Sequence, residues 1–318
     1  MFVRRRIPWR WTLAVTWPSL TYFLMVAVVV HLLRQQVYQT GLEIPFQPVV
    51  ILGTALSIFL GFKNNEAYGR WWEARIIWGL AVNYSRAWGR QVLTLMRAPE
   101  HERAELQKFQ RKLVLRHSAF IHALRVYLRR TKSFPQAPPE KLLAARNEYV
   151  DCVSMLSDDD YARMLMADNP PNVLLQLQGE GLALARERGW LDPYVLVQLD
   201  QTLVEFNNIQ GRSERIKKTP LPRLYSYFQR VIVHVHGTLL PFAIVTEVGW
   251  PMIPISLAVS FVFLVLDIIG SRTEDPFENR VDDTPLSSLA RTIERNVKEQ
   301  LGDQELPPNV EPKDGVLM

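Results

Sequence analysis

Residues 44–83 read IPFQPVVILGTALSIFLGFKNNEAYGRWWEARIIWGLAVN. The first 19 of them, 44–62, carry no Asp, Glu, Lys or Arg. Nothing breaks the pattern before the amphipathic KNNEAYGRWWEARIIWG that follows. The segment therefore predicts one long helix that spans a bilayer and continues beyond it. Two ridges run along it at a spacing of four. Gly53, Ser57 and Gly61 form a small-residue stripe, which lets helix backbones approach closely in lipid. Thr54, Ile58 and Phe62 lie beside it, about 12 Å from end to end. Arg70, Trp71 and Trp72 fall at headgroup level, where the apolar ring and the polar N–H of an indole both find partners. Residue types alone allow two readings. In one, small residues pack, large ones face lipid or core, and the tryptophans are an interfacial belt. In the other, copies of the helix pack around an axis through the small stripe. Thr54, Ile58 and Phe62 then line a narrow hole that gates by dewetting.

Working outward, residues 11–33, WTLAVTWPSLTYFLMVAVVVHLL, are also free of formal charge. As a helix they reach about 34 Å, enough for a hydrocarbon core of about 30 Å, with Pro18 inside. The basic Arg4, Arg5 and Arg6 ahead of them resemble the start of a signal peptide. The apolar run is too long for one, however, and no A-x-A site follows, so it reads as a retained span. Residues 231–270 hold only two carboxylates, Glu247 and Asp267, and no Lys or Arg. They break at Gly249-Trp250-Pro251 into two short spans. The expectation is four spans in two hairpins. Of 37 Lys and Arg residues, all but Arg34 fall on one side of this arrangement. By the positive-inside rule that side, with both termini, is cytoplasmic, and the membrane is the cell's inner membrane.

The predicted organisation has five parts. Residues 1–62 are an N-terminal segment and first hairpin, 63–230 a cytoplasmic helical region, and 231–270 the second hairpin. Residues 271–304 are an acidic cytoplasmic segment with a helix, and 305–318 a disordered tail. Charge is segregated accordingly: 63–230 carries 26 basic and 18 acidic residues, whereas 271–318 carries six and 11. The 318-residue chain is 48% hydrophobic, which excludes a disordered or collagen-like chain. Its one cysteine, Cys152, cannot form an internal disulfide. The pI near 9.3 comes from basic residues interspersed with acids and without a nucleic-acid motif, so no nucleic-acid partner is expected. In 99–131, Leu106, Phe109, Leu113, Phe120, Leu124 and Leu128 recur at helical spacing, and breakers stand at Pro135, Pro138, Pro139, Pro170, Pro171 and Pro193. No alternating β-branched run appears, and the fold class is all-α.

Catalytic and metal constellations are absent from the pattern. There is no Walker loop, G-x-S-x-G or H-E-x-x-H, so no enzyme and no cofactor are expected. His117 and His122 are five apart and do not share a helix face. His234 and His236 lack a carboxylate at ligand spacing and read as hydrogen-bonding residues between helices. Glu247 lies near the outer turn, within reach of water. Asp267 lies deeper, and a hydrogen-bond or arginine partner is expected for it.

FLGFKNNEAYGRWWEARIIWG, residues 59–79, resembles the signature of the bestrophins, bacterial members included. Asp275-Pro276-Phe277 resembles the Asn-Pro-Phe after the last span of animal bestrophins, and Asp192-Pro193 with its Leu-rich helix also matches. The resemblance covers nearly the whole chain. It implies a pentamer of helical subunits around one pore that passes small monovalent ions, chloride or other anions by family habit. Cation selectivity and a non-conducting membrane-anchored scaffold or sensor stay open. It puts the neck at Thr54, Ile58 and Phe62. The family usually has three apolar neck residues, so the dry barrier should rest on Ile58 and Phe62, with the Thr54 hydroxyl hydrating one end. The cytoplasmic aperture falls at Tyr194. Animal bestrophins bind calcium after the Pro-Phe. Here Asp282 and Asp283 remain, but Arg280 replaces an aspartate. A solvated acidic linker without metal is the preferred reading.

Overall fold

The structure, a computed structural model, describes residue 1 and residues 9–39, 44–129, 148–313 and 315–317. Arg4, Arg5, Arg6, Pro135, Pro138 and Pro139 lie outside the described residues. The described residues are helical, and their one β-bridge joins Lys313 to Val316. The helices are α1 (Trp9–Leu32), α2 (Arg34–Gln39), α3 (Phe46–Leu95), α4 (Arg103–Arg129), α5 (Val150–Val153) and α6 (Asp158–Leu165). They continue with α7 (Pro170–Glu187), α8 (Pro193–Lys218), α9 (Arg223–Val248), α10 (Met252–Thr273) and α11 (Leu286–Gln300). The chain divides into two compact units. One comprises Met1–Val3, Trp72–Thr219 and Phe277–Met318, the other Arg4–Trp71 and Pro220–Pro276. The 50-residue α3 supplies a segment to each, the uninterrupted helix expected from residues 44–83.

The second unit holds membrane-spanning helices. Among the described residues, α1 over Thr12–Leu32, α3, α9 and α10 are long and apolar enough to cross a bilayer. Helix α9 starts at Arg223, about two turns before the uncharged run at 231. In that extension Tyr225 stacks on Phe59, with ring centroids 4.8 Å apart. The turn between α9 and α10 falls at Gly249, whose φ of 70° is a left-handed conformation that glycine adopts without strain. The unit's interior is built by Phe23, Leu56, Leu60, Val233 and Leu264. A second cluster gathers Ala27, Val30, Val49, Leu240, Ile244 and Met252. Small residues set the close approaches. A Cβ on Gly237 would stand 2.5 Å from the Phe23 ring, so Gly237 is where α1 and α9 touch.

The other unit packs α4, α7, α8 and α11 with residues 72–95 of α3. Trp78, Trp88, Phe120, Phe206 and Ile293 are fully buried in its core. The face of α4 read from sequence is the buried one: Leu106, Leu113, Phe120, Leu124 and Leu128 point inward, and Phe109 is half-buried against the same core. Caps fix the helix starts. The Ser157 hydroxyl accepts from the Asp160 N–H, and Asn169 Oδ1 accepts from the Asn172 N–H, just ahead of Pro170. Buried Arg116 donates to Asp160 Oδ2 at 2.8 Å and to the Leu177 carbonyl at 2.8 Å, tying α4 to α6 and α7. Burial alone would raise the Asp160 pKa. The hydrogen bonds and charge of Arg116, aided by Lys112, outweigh that and hold it below the usual carboxylate range.

Residues 305–313 and 315–317, assigned by composition to a disordered tail, make defined contacts. Arg295 donates to the Pro307 carbonyl, and the Leu317 N–H donates to the Met1 carbonyl at 2.9 Å. Proline-rich backbone loses little entropy when held, so few contacts suffice to order it.

Candidate pore-lining site

The part of α3 in the membrane unit has two unlike faces. Val49, Gly53, Leu56, Leu60, Lys63 and Ala67 follow each other at threes and fours, and all are buried against their own chain. Thr54, Ile58 and Phe62 lie on the other side and are exposed, Ile58 at 56% and Phe62 at 63%. Two residues along a helix is a turn of about 200°. Burying Leu56 and Leu60 therefore turns Ile58 outward. The Thr54 hydroxyl donates to the Val50 carbonyl at 2.9 Å, which leaves its lone pairs for water.

The small-residue stripe divides. Gly53 is the close approach within the chain: a Cβ there would stand 2.9 Å from His236 Nε2. Gly61 has open space around its Cα, and the exposed Ser57 donates to the Gly53 carbonyl at 2.8 Å. Further along, Trp71 stacks on Tyr68 and Arg70 Nε donates to the Glu274 carbonyl at 2.8 Å. Trp72 is about half exposed.

Asp267 has the partners its depth demands. Lys63 Nζ lies 3.4 Å from Oδ1, and Arg230 Nε lies 3.6 Å from Oδ2. Lys63 also donates to Ser271 Oγ at 2.7 Å. The sequence pointed to an arginine, but the lysine partner was not foreseen. Lys63 directly follows an apolar run, and nothing local shows that it turns inward. His234 hydrogen-bonds with Ser19 Oγ at 3.4 Å and the Arg230 carbonyl at 2.8 Å. His236 packs edge-on against Phe263. Glu247 is exposed.

In the other unit, Tyr194 opens α8 and is 84% exposed. Its N–H donates to Asp192 Oδ1 at 2.8 Å, so Asp192 caps the helix and Pro193 takes the first helical position. His117 and His122 go to separate partners, Ser85 Oγ at 2.8 Å and Glu294 Oε2 at 3.2 Å.

Asp283 is buried, and its Oδ2 accepts from the Arg280 N–H at 3.0 Å. Burial pushes the Asp283 carboxyl up to about 6. Among the described residues, no group of three or more His, Cys, Asp or Glu could hold a metal ion.

These features define a class: a helical membrane protein in which one span turns an apolar ridge away from its own chain. The pattern of the bacterial and fungal bestrophin proteins matches residues 11–299, and the chain belongs to that family. It is 32% identical over 272 residues to the voltage-dependent anion channel-forming protein YneE of Escherichia coli K12, covering 86% of this chain and 82% of that one. It is 32% identical over 265 residues to the voltage-dependent anion channel-forming protein mll4386 of Mesorhizobium japonicum, covering 83% and 77%. Among solved structures, a bacterial bestrophin homologue from Klebsiella pneumoniae superposes with a TM-score of 0.79 at 28% identity, covering 90% of this chain and 98% of that chain.

Proposed function

We propose that copies of this chain, five by family resemblance, assemble around an axis into a bestrophin-type channel for small monovalent ions. The names of its relatives point to anions. Thr54, Ile58 and Phe62 of each copy form successive rings, and Tyr194 rings the cytoplasmic aperture. Ser57 and Gly61 let neighbouring copies of α3 approach. Residues 63–230 and 271–318 lie in the cytoplasm with both termini, the membrane is the inner membrane, and Arg70, Trp71 and Trp72 sit at its surface. No catalytic step enters this reading.

One observation carries it: Ile58 and Phe62 stand more than half exposed on a helix whose opposite face is buried in its own chain. A ring of such side chains makes a passage in which an ion sheds water it cannot replace, so conduction requires the ring to wet. Arg34, the one basic residue of the predicted outer loop, donates to the Thr246 carbonyl beside the α9–α10 turn at 3.2 Å, which fits both turns lying on one side.

Flux from proteoliposomes under a salt gradient tests the proposal. Wild-type protein should conduct, and Ile58→Ala and Phe62→Ala should conduct faster, about tenfold for each ~1.4 kcal/mol removed from the barrier. Absence of flux would favour a scaffold. Flux that neither variant changes would mean that these side chains face lipid.

A further inference from the structure

The neck ridge advances by fours, and its next member after Phe62 is Glu66. Glu66 is exposed and lies one turn, about 6 Å, beyond Phe62. Three formal charges stand on the membrane-unit segment of α3: Lys63, Glu66 and Arg70. Both cations are engaged by their own chain. Lys63 turns inward to Asp267 and Ser271, and Arg70 Nε is held by the Glu274 carbonyl. The Lys63 charge is thus matched by Asp267, Arg70 is turned to a backbone carbonyl, and Glu66 is the carboxylate left on the exposed ridge.

We infer that Glu66 is a selectivity-determining residue. Repeated around the axis, it forms a carboxylate ring at the inner mouth of the neck that concentrates hydrated monovalent cations and opposes the passage of anions. The inference rests on the proposed pore, and it assigns the ridge a fourth position with a defined charge preference. Carboxylate rings act in this way because their fields add on the axis, whereas a solvated carboxylate elsewhere on the surface is screened within about 10 Å. The chain therefore carries a cation-favouring element next to a neck whose relatives are named for anions, and Glu66 weakens or reverses any anion preference.

Reversal potentials in asymmetric NaCl, measured on the reconstituted full-length protein, test this. Glu66→Gln should move the reversal potential towards the chloride equilibrium potential, and Glu66→Lys should move it further. Glu66→Asp should stay near wild type. Glu100→Gln removes an exposed carboxylate off the ridge and should change nothing. If Glu66→Gln leaves the reversal potential in place while Ile58→Ala and Phe62→Ala raise the conductance, the pore stands and the Glu66 assignment is overturned. If none of the three changes anything, the pore reading itself fails and takes this inference with it.

Discussion

Glu294→Gln removes one negative charge from the centre of a buried network. The Glu294 side chain is 3% exposed and accepts hydrogen bonds from His122 Nε2 at 3.2 Å, Arg291 Nη1 at 2.7 Å and Lys298 Nζ at 2.9 Å. Asp151 pairs with Arg125 at 2.7 Å and stands 3.6 Å from Arg291. Burial alone would raise the Glu294 pKa. The hydrogen bonds from His122 and Lys298 and the charge of Arg291 outweigh it, holding the carboxyl at about 2 against an ordinary 4.5. That difference corresponds to about 3 kcal/mol of folding stability at neutral pH. For a unit of this size it amounts to about 6–12 °C in Tm. Thermal unfolding of detergent-solubilised protein, followed through buried Trp78, Trp88 and Trp190, measures it. The pH dependence has a definite sign. A depressed carboxylate stabilises fully above its unfolded value of 4.5, and the effect disappears as pH falls through the folded value near 2. The gap between wild type and Glu294→Gln should therefore be widest near pH 7 and close between pH 4.5 and 2. A gap below about 1 °C at pH 7 is within the usual scatter of neutral substitutions and would refute the reasoning. So would a gap undiminished at the acid end.

Two further predictions concern the packing. Burial holds the His117 imidazole at about 3 against an ordinary 6.5, so it folds neutral and the unfolded chain takes up the proton first. Stability should fall as pH drops from 6.5, by about 2–3 kcal/mol at pH 4.5, and His117→Gln should flatten that limb in the same melting series; an unchanged acid slope would place its origin elsewhere. Gly237→Ala puts a methyl against buried Phe23 and should cost about 1–3 kcal/mol. Phe23→Leu should recover part of that loss in the double variant, and strict additivity of the two substitutions would contradict the contact.

What the sequence disclosed depended on the range of the interaction. The spans were visible because absence of charge is local to each run. Continuity of α3 was visible because no proline interrupts residues 49–95, and the α9–α10 turn because Gly249 and Pro251 bracket it. The buried face of α4 followed from its period. Partnerships between distant segments were not legible. Lys63 finds Asp267 204 residues away, and Glu294 gathers His122 from 172 residues away. The small-residue stripe looked uniform, yet only the packing of His236 distinguishes Gly53 from Gly61. Glu66 lies on the ridge in the sequence, but its significance depends on Lys63 and Arg70 being held elsewhere.

The Lys63–Asp267 pair also bears on how the protein is made. At a synthesis rate of about 5–20 residues per second, the 204-residue separation puts the carboxylate about 10–40 s behind the lysine. During that interval Lys63, at the end of the second uncharged run, has no carboxylate partner. A nascent chain halted before Asp267 would thus carry an unmatched lysine at the end of its second apolar run.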